Sequence, residues 1–169
     1  MAEQIDNINY LAPTGFKVTI SRENYPAMQY FAQQIQHPAI DVGATETPYK
    51  RLSSVPFIGE KITHGTLSMD LIMDENMQSY QEIYDWMHRM VNEEHTPTSA
   101  RFSSLGGEVP TSYCDIRVSI LTSSNNPNKE FHYKNAFPTT LGDVMFMSTS
   151  DGTYITFPVS FRFDYFEFS

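Results

Sequence analysis

The stretch Tyr154–Tyr165, YITFPVSFRFDY, decides the fold of this chain. In an extended backbone Ile155, Phe157, Val159, Phe161, Phe163 and Tyr165 point one way, and Tyr154, Thr156, Pro158, Ser160, Arg162 and Asp164 the other. Alternation with a period of two predicts a half-buried strand, one aromatic face in a core and one mostly polar face elsewhere. At roughly 3.3 Å per residue it reaches about 35 Å, beyond the about five or six residues of an ordinary strand. That length suits an extended sheet or a barrel, and exceeds what a small domain needs for its own closure. Pro158 has no N–H to give a neighbouring strand, so it is expected at an edge, at a bulge or where pairing with a neighbour changes. An exposed long edge is one that another subunit can cover, and head-to-tail pairing of that kind builds rings and filaments.

Upstream, Asp151 and Gly152 predict a tight hairpin turn, which favours positive φ angles. Val144 to Thr149 reads as a short strand, Pro138 to Gly142 as a turn and Glu130 to Phe137 as a strand. Cys114, Ile116, Val118 and Ile120 alternate against Tyr113, Asp115, Arg117 and Ser119 in another strand, and the polar stretch from Asn92 to Pro110 reads as a loop. A helix over 74–91 opens at Asp74, a good N-cap, with Met77, Tyr80, Tyr84, Met87 and Val91 spaced by three and four, and Ile83, Trp86 and Met90 widening the apolar face. Leu67, Met69, Leu71 and Met73 mark a strand over His64 to Met73. The Pro-rich and Gly-containing segment 38–61 is long for a compact domain, as functional or mobile segments are, and reads as an extended loop or an excursive hairpin. Phe16, Val18 and Ile20 form a first strand, expected to pair as a hairpin with Met28 to Gln36. Residues 1–13 read as an arm, and 14–169 as one domain of seven or eight strands and one helix. The class is mainly β, an antiparallel sandwich or barrel with a flanking helix.

A chain of 169 residues is large enough to bury roughly two thirds of its unfolded surface without a metal or a disulfide. A net charge of -9 argues against gripping nucleic acid, which needs clustered Lys and Arg, although repelling it stays open. Charged residues are only 18 % and aromatic residues 14 %, a surface suited to buried contacts between subunits. The single cysteine excludes an internal disulfide, and no run approaches the roughly 20 apolar residues of a membrane-spanning helix, so a soluble protein made in the cytoplasm is expected.

Catalysis finds no constellation. His37, His64, His88, His95 and His132 lack the spacing of paired metal ligands, and Cys114 begins an apolar strand face as a buried, inert thiol would. Glu93, Glu94 and His95 fall at a helix end, Asp74 and Glu75 are explained by helix capping, and Gly106 and Gly107 lack the spacing and lysine of a phosphate loop. No catalytic residue, cofactor or metal is expected.

The C-terminal third, NAFPTTLGDVMF followed by SDGTYITFPVSFRFDYFEF, resembles the tail tube proteins of contractile-tailed bacteriophages of the T4 type. The likeness rests on the aromatic-Pro-Thr-x-x-Gly segment of Phe137, Pro138, Thr139 and Gly142, and on the ending Asp164, Tyr165 and Phe166. The strand of Phe16, Val18 and Ile20, a second strand around Phe31, a long loop with Pro56 and the Asp74 helix containing Trp86 fall in the same order, over about residues 14 to 168. The resemblance implies two packed antiparallel sheets with a flanking helix. It also implies six-subunit rings stacked into a tube in the virion tail, assembled in the host cytoplasm and passing DNA without specific binding. Implied partners are further copies of the chain, tail sheath, baseplate and tail terminator, with no membrane. The segment 41–60 and the arm 1–13 would contact neighbouring rings. An acidic wall would keep the duplex centred by repulsion over about 8 Å, with Asp70, Asp115 and Asp164, on polar strand sides, as lumen-facing candidates. Other readings are a baseplate or terminal ring, the tube of a contractile injection or secretion device, and, from another class, a monomeric β-sandwich binding module.

Overall fold

The aromatic face of the quoted stretch is buried: Phe157, Val159 and Phe161 are at most 1 % exposed, on a strand in the interior of a sheet. The computed structural model describes residues 11, 14–20, 32–49, 53–91, 113–148 and 154–169. Its elements are β1 (Phe16–Thr19), β2 (Ala32–Gln36), β3 (Ile40–Tyr49), β4 (Ser53–His64) and β5 (Leu67–Ile72), then the helix α1 (Gln78–Met90). After it come β6 (Cys114–Leu121), β7 (Pro127–Leu141), β8 (Thr156–Arg162) and β9 (Tyr165–Phe168). The expected arm, the loop 92–110, residues 28–31 and the Asp151–Gly152 turn lie wholly or largely outside the described residues.

Two antiparallel sheets share β7. The front sheet runs β1-β6-β7-β9, using the first part of β7, and the back sheet runs β2-β5-β8-β7, using its last residues. Between the sheets pack Val18, Ile116, Val118 and Tyr133 from the front, and Leu67, Met69, Leu71 and the three β8 residues from the back. Helix α1 adds Ile83 and Trp86 to this core, Trp86 lying 5.9 Å from Phe161 and Tyr80 edge-on at 5.4 Å from Phe157 between ring centroids.

Two expectations about pairing are corrected. Instead of forming a hairpin with β2, β1 pairs with β6 while β2 pairs with β5, so the two strands sit at opposite ends of the strand order. Nor is the last strand continuous: it breaks at Phe163 and Asp164, where the chain passes from the back sheet to the front sheet around β7. The break reverses the alternation, because a slip of one residue moves every side chain to the other face. Phe166 is half-buried, whereas Tyr165, expected on the aromatic side, is 48 % exposed. At the same level β7 has its own bulge, with Asn135 in the left-handed region at φ 54°. Both partners of the corner therefore bend together.

Pro158 lies in the strand interior to the back sheet, opposite Asp70 of β5, rather than on an edge. Its carbonyl and its missing N–H both face the end of β7, where the carbonyl accepts the Gly142 N–H at 2.8 Å and regular pairing stops. Gly142 is required there. A Cβ on it would strike the Pro158 ring, with Cδ and the carbonyl oxygen each 3.0 Å away. Gly142→Ala is expected to cost about 1–3 kcal/mol by overpacking. Gly43→Ala, whose Cβ meets nothing within 4 Å, should cost less than about 0.5 kcal/mol. Urea midpoints of the two variants check the contrast. Pro138, expected in a turn, is part of β7, and residues 144–148, expected as a strand, are irregular.

The helix starts one turn later than its cap signal suggests. Met77, in the left-handed region at φ 54°, precedes Gln78, and Asp74 caps from beyond it. Its carboxylate accepts the Gln78 and Ser79 N–H groups at 3.0 and 3.1 Å and the Ser79 hydroxyl at 2.9 Å. Burial pushes the Asp74 carboxyl upward, but these hydrogen bonds outweigh it and hold the group below its ordinary value. The buried stripe is Ser79, Ile83 and Trp86, while Met77, Tyr84 and Val91 are exposed.

Candidate assembly surfaces

A β-ribbon leaves the body between His37 and Gly65. Among the described residues β3 and β4 pair with each other and with no other strand, as a separate two-stranded sheet. At about 3.3 Å per residue the ten residues of β3 span about 33 Å. The sequence supports such a ribbon through β-branched and aromatic residues at Val42, Thr45, Thr47, Val55, Phe57 and Ile62. Cross-strand bonds from Ser54 Oγ to Glu46 Oε2 (3.1 Å) and from Thr63 Oγ1 to the Asp41 carbonyl (3.3 Å) reinforce it. A register shift between Val42 and Ala44 sets Gly43 against Gly59, where a Cβ on Gly59 would overlap the Gly43 carbonyl. A bulge of that kind bends and twists the ribbon.

Both faces of the ribbon are apolar in part. Ala44, Pro56 and Ile58 share one face, and Thr45, Val55, Phe57 and Tyr49 share the other. Ile58 is 90 % exposed and Phe57 57 %. Large apolar side chains held open on a projecting element mark a surface built to be covered. Met145, Phe146 and Met147, each at least 63 % exposed, form a second apolar surface beyond the end of β7.

Among the described residues, the strand order of the body has two open ends. β1 and β2, the terminal strands of the order, each pair on one side only, and an apolar cleft of about 540 Å³ lies between them, with Phe16, Ile35, Val118, Ile120 and Phe131 in its walls. Among the described residues, no three His, Cys, Asp or Glu side chains are placed to hold a metal ion, and no helix is long and apolar enough to cross a membrane.

The three carboxylates proposed from the sequence lie on different surfaces. Asp70 is on the outer face of the back sheet, beside Gln34 of β2 and Pro158 of β8. Ser68, Ser160, Gln36, Thr140 and Arg162 share that face, which is short, polar and nearly uncharged. Asp115 and Asp164 meet instead at the β7 corner. Asp115 accepts from Lys134 Nζ at 2.6 Å and from the Asn135 N–H at 3.3 Å, while Asp164 accepts from Asn135 Nδ2 at 2.7 Å and donates its own N–H to the Lys134 carbonyl at 3.1 Å. The hydrogen bond from Lys134 to Asp115 and the attraction of its charge raise the lysine's pKa. These two carboxylates therefore satisfy the groups that the bulge leaves over. Lys134 and Asn135 were missed from the sequence, where an Asn midway along a strand pattern was the available signal.

A family model for phage tail tube proteins matches residues 6–169. The chain belongs to that family. Among solved structures, this tail tube protein is similar to a chain of the sheath-tube complex of an extracellular contractile injection system in its extended state, at 15 % identity, with a TM-score of 0.66, covering 100 % of this chain and 97 % of that one. It matches the tube-terminating cap of the anti-feeding prophage equally well, at 17 % identity and a TM-score of 0.66 over 100 % and 99 % of the two chains. A crystal structure of an Hcp protein is similar at 12 % identity and a TM-score of 0.50, over 88 % and 86 %. No curated protein sequence matches. At such identities the structures establish the fold, which is that of tail and injection-system tubes.

Proposed function

We propose that this tail tube protein is a structural, non-catalytic subunit that stacks as six-membered rings into a channel for DNA. The observation that carries the reading is the β3–β4 ribbon, which holds the large apolar side chains of Phe57 and Ile58 exposed. Each ribbon would reach the adjacent ring, with the free edges of β1 and β2 available for contacts within a ring. Likenesses to a sheath-tube complex and, at a TM-score of 0.58 and 10 % identity, to a chain of the anti-feeding prophage baseplate support sheath and baseplate as partners. The place of action would be the tail of a virion, after assembly in the host cytoplasm.

The back sheet is the wall we assign to the channel. The ribbon rises from its strands β2 and β5, so stacking along the ribbon extends this sheet from ring to ring. Asp70 then faces the lumen, whereas Asp115 and Asp164 hold the β7 corner. Arg162 on the same face balances Asp70 one for one, which makes the wall neutral and smooth. Such a wall releases few counterions from passing DNA and does not hold it.

Purified protein should form rings and tubes by electron microscopy. In a Cys114→Ser background, Ser160→Cys should be blocked from a bulky maleimide polymer once tubes form, while Lys17→Cys on the front sheet stays reactive. Reversed reactivity would overturn the wall assignment, and persistent monomers at high concentration would overturn the tube. A terminal ring is the second reading, favoured by the cap matching as well as the chain of the sheath-tube complex. It predicts single rings that do not elongate.

A further inference from the structure

We infer that His37 and His64 are positioning residues that clasp the base of the β3–β4 ribbon onto the aromatic cluster of β7 and β9, and that acidification opens this clasp. One histidine stands at each root of the ribbon. His37 follows β2, and His64 is the last residue of β4. Between the roots the Gly65 N–H donates to the Ala39 carbonyl at 2.9 Å.

The two imidazoles converge on Phe166. His37 lies edge-on to it at 5.0 Å between centroids and His64 at 5.4 Å, with Phe131 at 4.8 Å from His37 and Phe163 at 5.6 Å from His64. Nδ1 of His37 shares a hydrogen bond of 2.7 Å with the Tyr133 hydroxyl. Nδ1 of His64 is buried without a hydrogen-bond partner among the described residues. A neutral imidazole fits such a site as one more aromatic ring. His37 is exposed and its Nδ1 keeps the Tyr133 hydroxyl, but an imidazolium at His64 places an N–H donor at the buried Nδ1, which this surround leaves unmatched.

Among the described residues, no counter-charge faces either ring. Tyr133, the titratable group in contact, is itself pushed upward by burial and stays neutral. Glu130, His132 and Lys134 on β7 and Glu167 on β9 alternate to the opposite face, where His132 meets Glu130 at 3.3 Å and Ser169 at 3.0 Å. On the ribbon Asp41 pairs with Thr63, out of phase with the Ile40–His64 pair. At the corner Arg162 lies on the outer face of the back sheet and Asp164 is held by Asn135. Burial lowers the pKa of His37. A base whose pKa is lower in the clasped state than in the released one leaves the clasp at full strength above the ordinary histidine value and weakens it as pH falls through that value.

The test needs no assembly, so its failure is distinct from failure of the tube reading. Amide exchange of the unassembled full chain, corrected for intrinsic rates, is followed from pH 8 to pH 5 for residues 40–42 and 62–65, with β5 as internal reference. Exchange at the ribbon base should accelerate at least about threefold relative to β5. His37→Phe with His64→Phe should abolish that acceleration, and His132→Gln should retain it. If the double variant does not fold, ring titrations of the native chain by NMR decide. A His37 midpoint below the ordinary value and coincident with loosening supports the clasp, and a His37 midpoint at or above it overturns it. Unchanged protection at the base down to pH 5, or an equal response in the double variant, also overturns it.

Discussion

Trp86→Ala should lower the stability of this protein by about 3–5 kcal/mol, the usual cost of emptying a large aromatic site. The ring is fully buried at the centre of the α1 stripe, against Phe161 of β8. Helix and back sheet both close over it, so neither collapses into the void without the other moving. For a chain of this size the loss corresponds to a fall of about 6–20 °C in Tm. Tyr84→Ala on the same helix, where the side chain is 47 % exposed and packs beside His88 at 4.2 Å, should cost less than about 1 kcal/mol. Urea unfolding with an unchanged slope measures both. A Trp86→Ala loss below about 1 kcal/mol would mean that the helix is not part of the cooperative unit.

Ile58→Asp should leave the folded subunit intact and strongly weaken the tube growth proposed above. A side chain 90 % exposed contributes little to the stability of its own chain, so the melting curve should move by less than about 0.5 kcal/mol. A covered apolar anchor in an interface is worth about 2 kcal/mol or more, which is about 25-fold in the equilibrium constant of each contact. The critical concentration for growth should rise by about that factor or more, read by sedimentation and by electron microscopy. Phe57→Asp probes the opposite face of the ribbon and shows whether one face or both are covered. Growth unaffected by either change would remove the ribbon from the assembly.

How much was legible follows from the range of each interaction. Alternation at Leu67, Met69 and Leu71, at Ile116 and Val118, and at Phe157, Val159 and Phe161 is local, and all of these residues are buried as it requires. The ribbon was legible because Pro48, Pro56, Gly43 and Gly59 punctuate a segment whose β-forming residues have no room in a loop. Partner choice was not. Val18 alternates identically whether β1 lies beside β2 or beside β6, and only the whole sheet decides. The Asp164 break was hidden because Phe163, Tyr165 and Phe166 continue the aromatic composition through a change of phase. Alternation likewise placed Asp70, Asp115 and Asp164 on polar sides without telling one sheet from the other. Asp74 signalled a cap correctly, but its reach across a left-handed Met77 is set by the turn it closes.

The sharing of β7 has a mechanical consequence. In a sandwich of two independent sheets a pull on one reaches the other only through side-chain packing, and the layers can slide as a shear plane. Here the same backbone runs through both, so a load applied to the ladder of β6 passes along covalent bonds into the ladder of β8. The pinned bend at Asn135 and Asp164, where hydrogen bonds tie the returning chain to β7, lies on that load path.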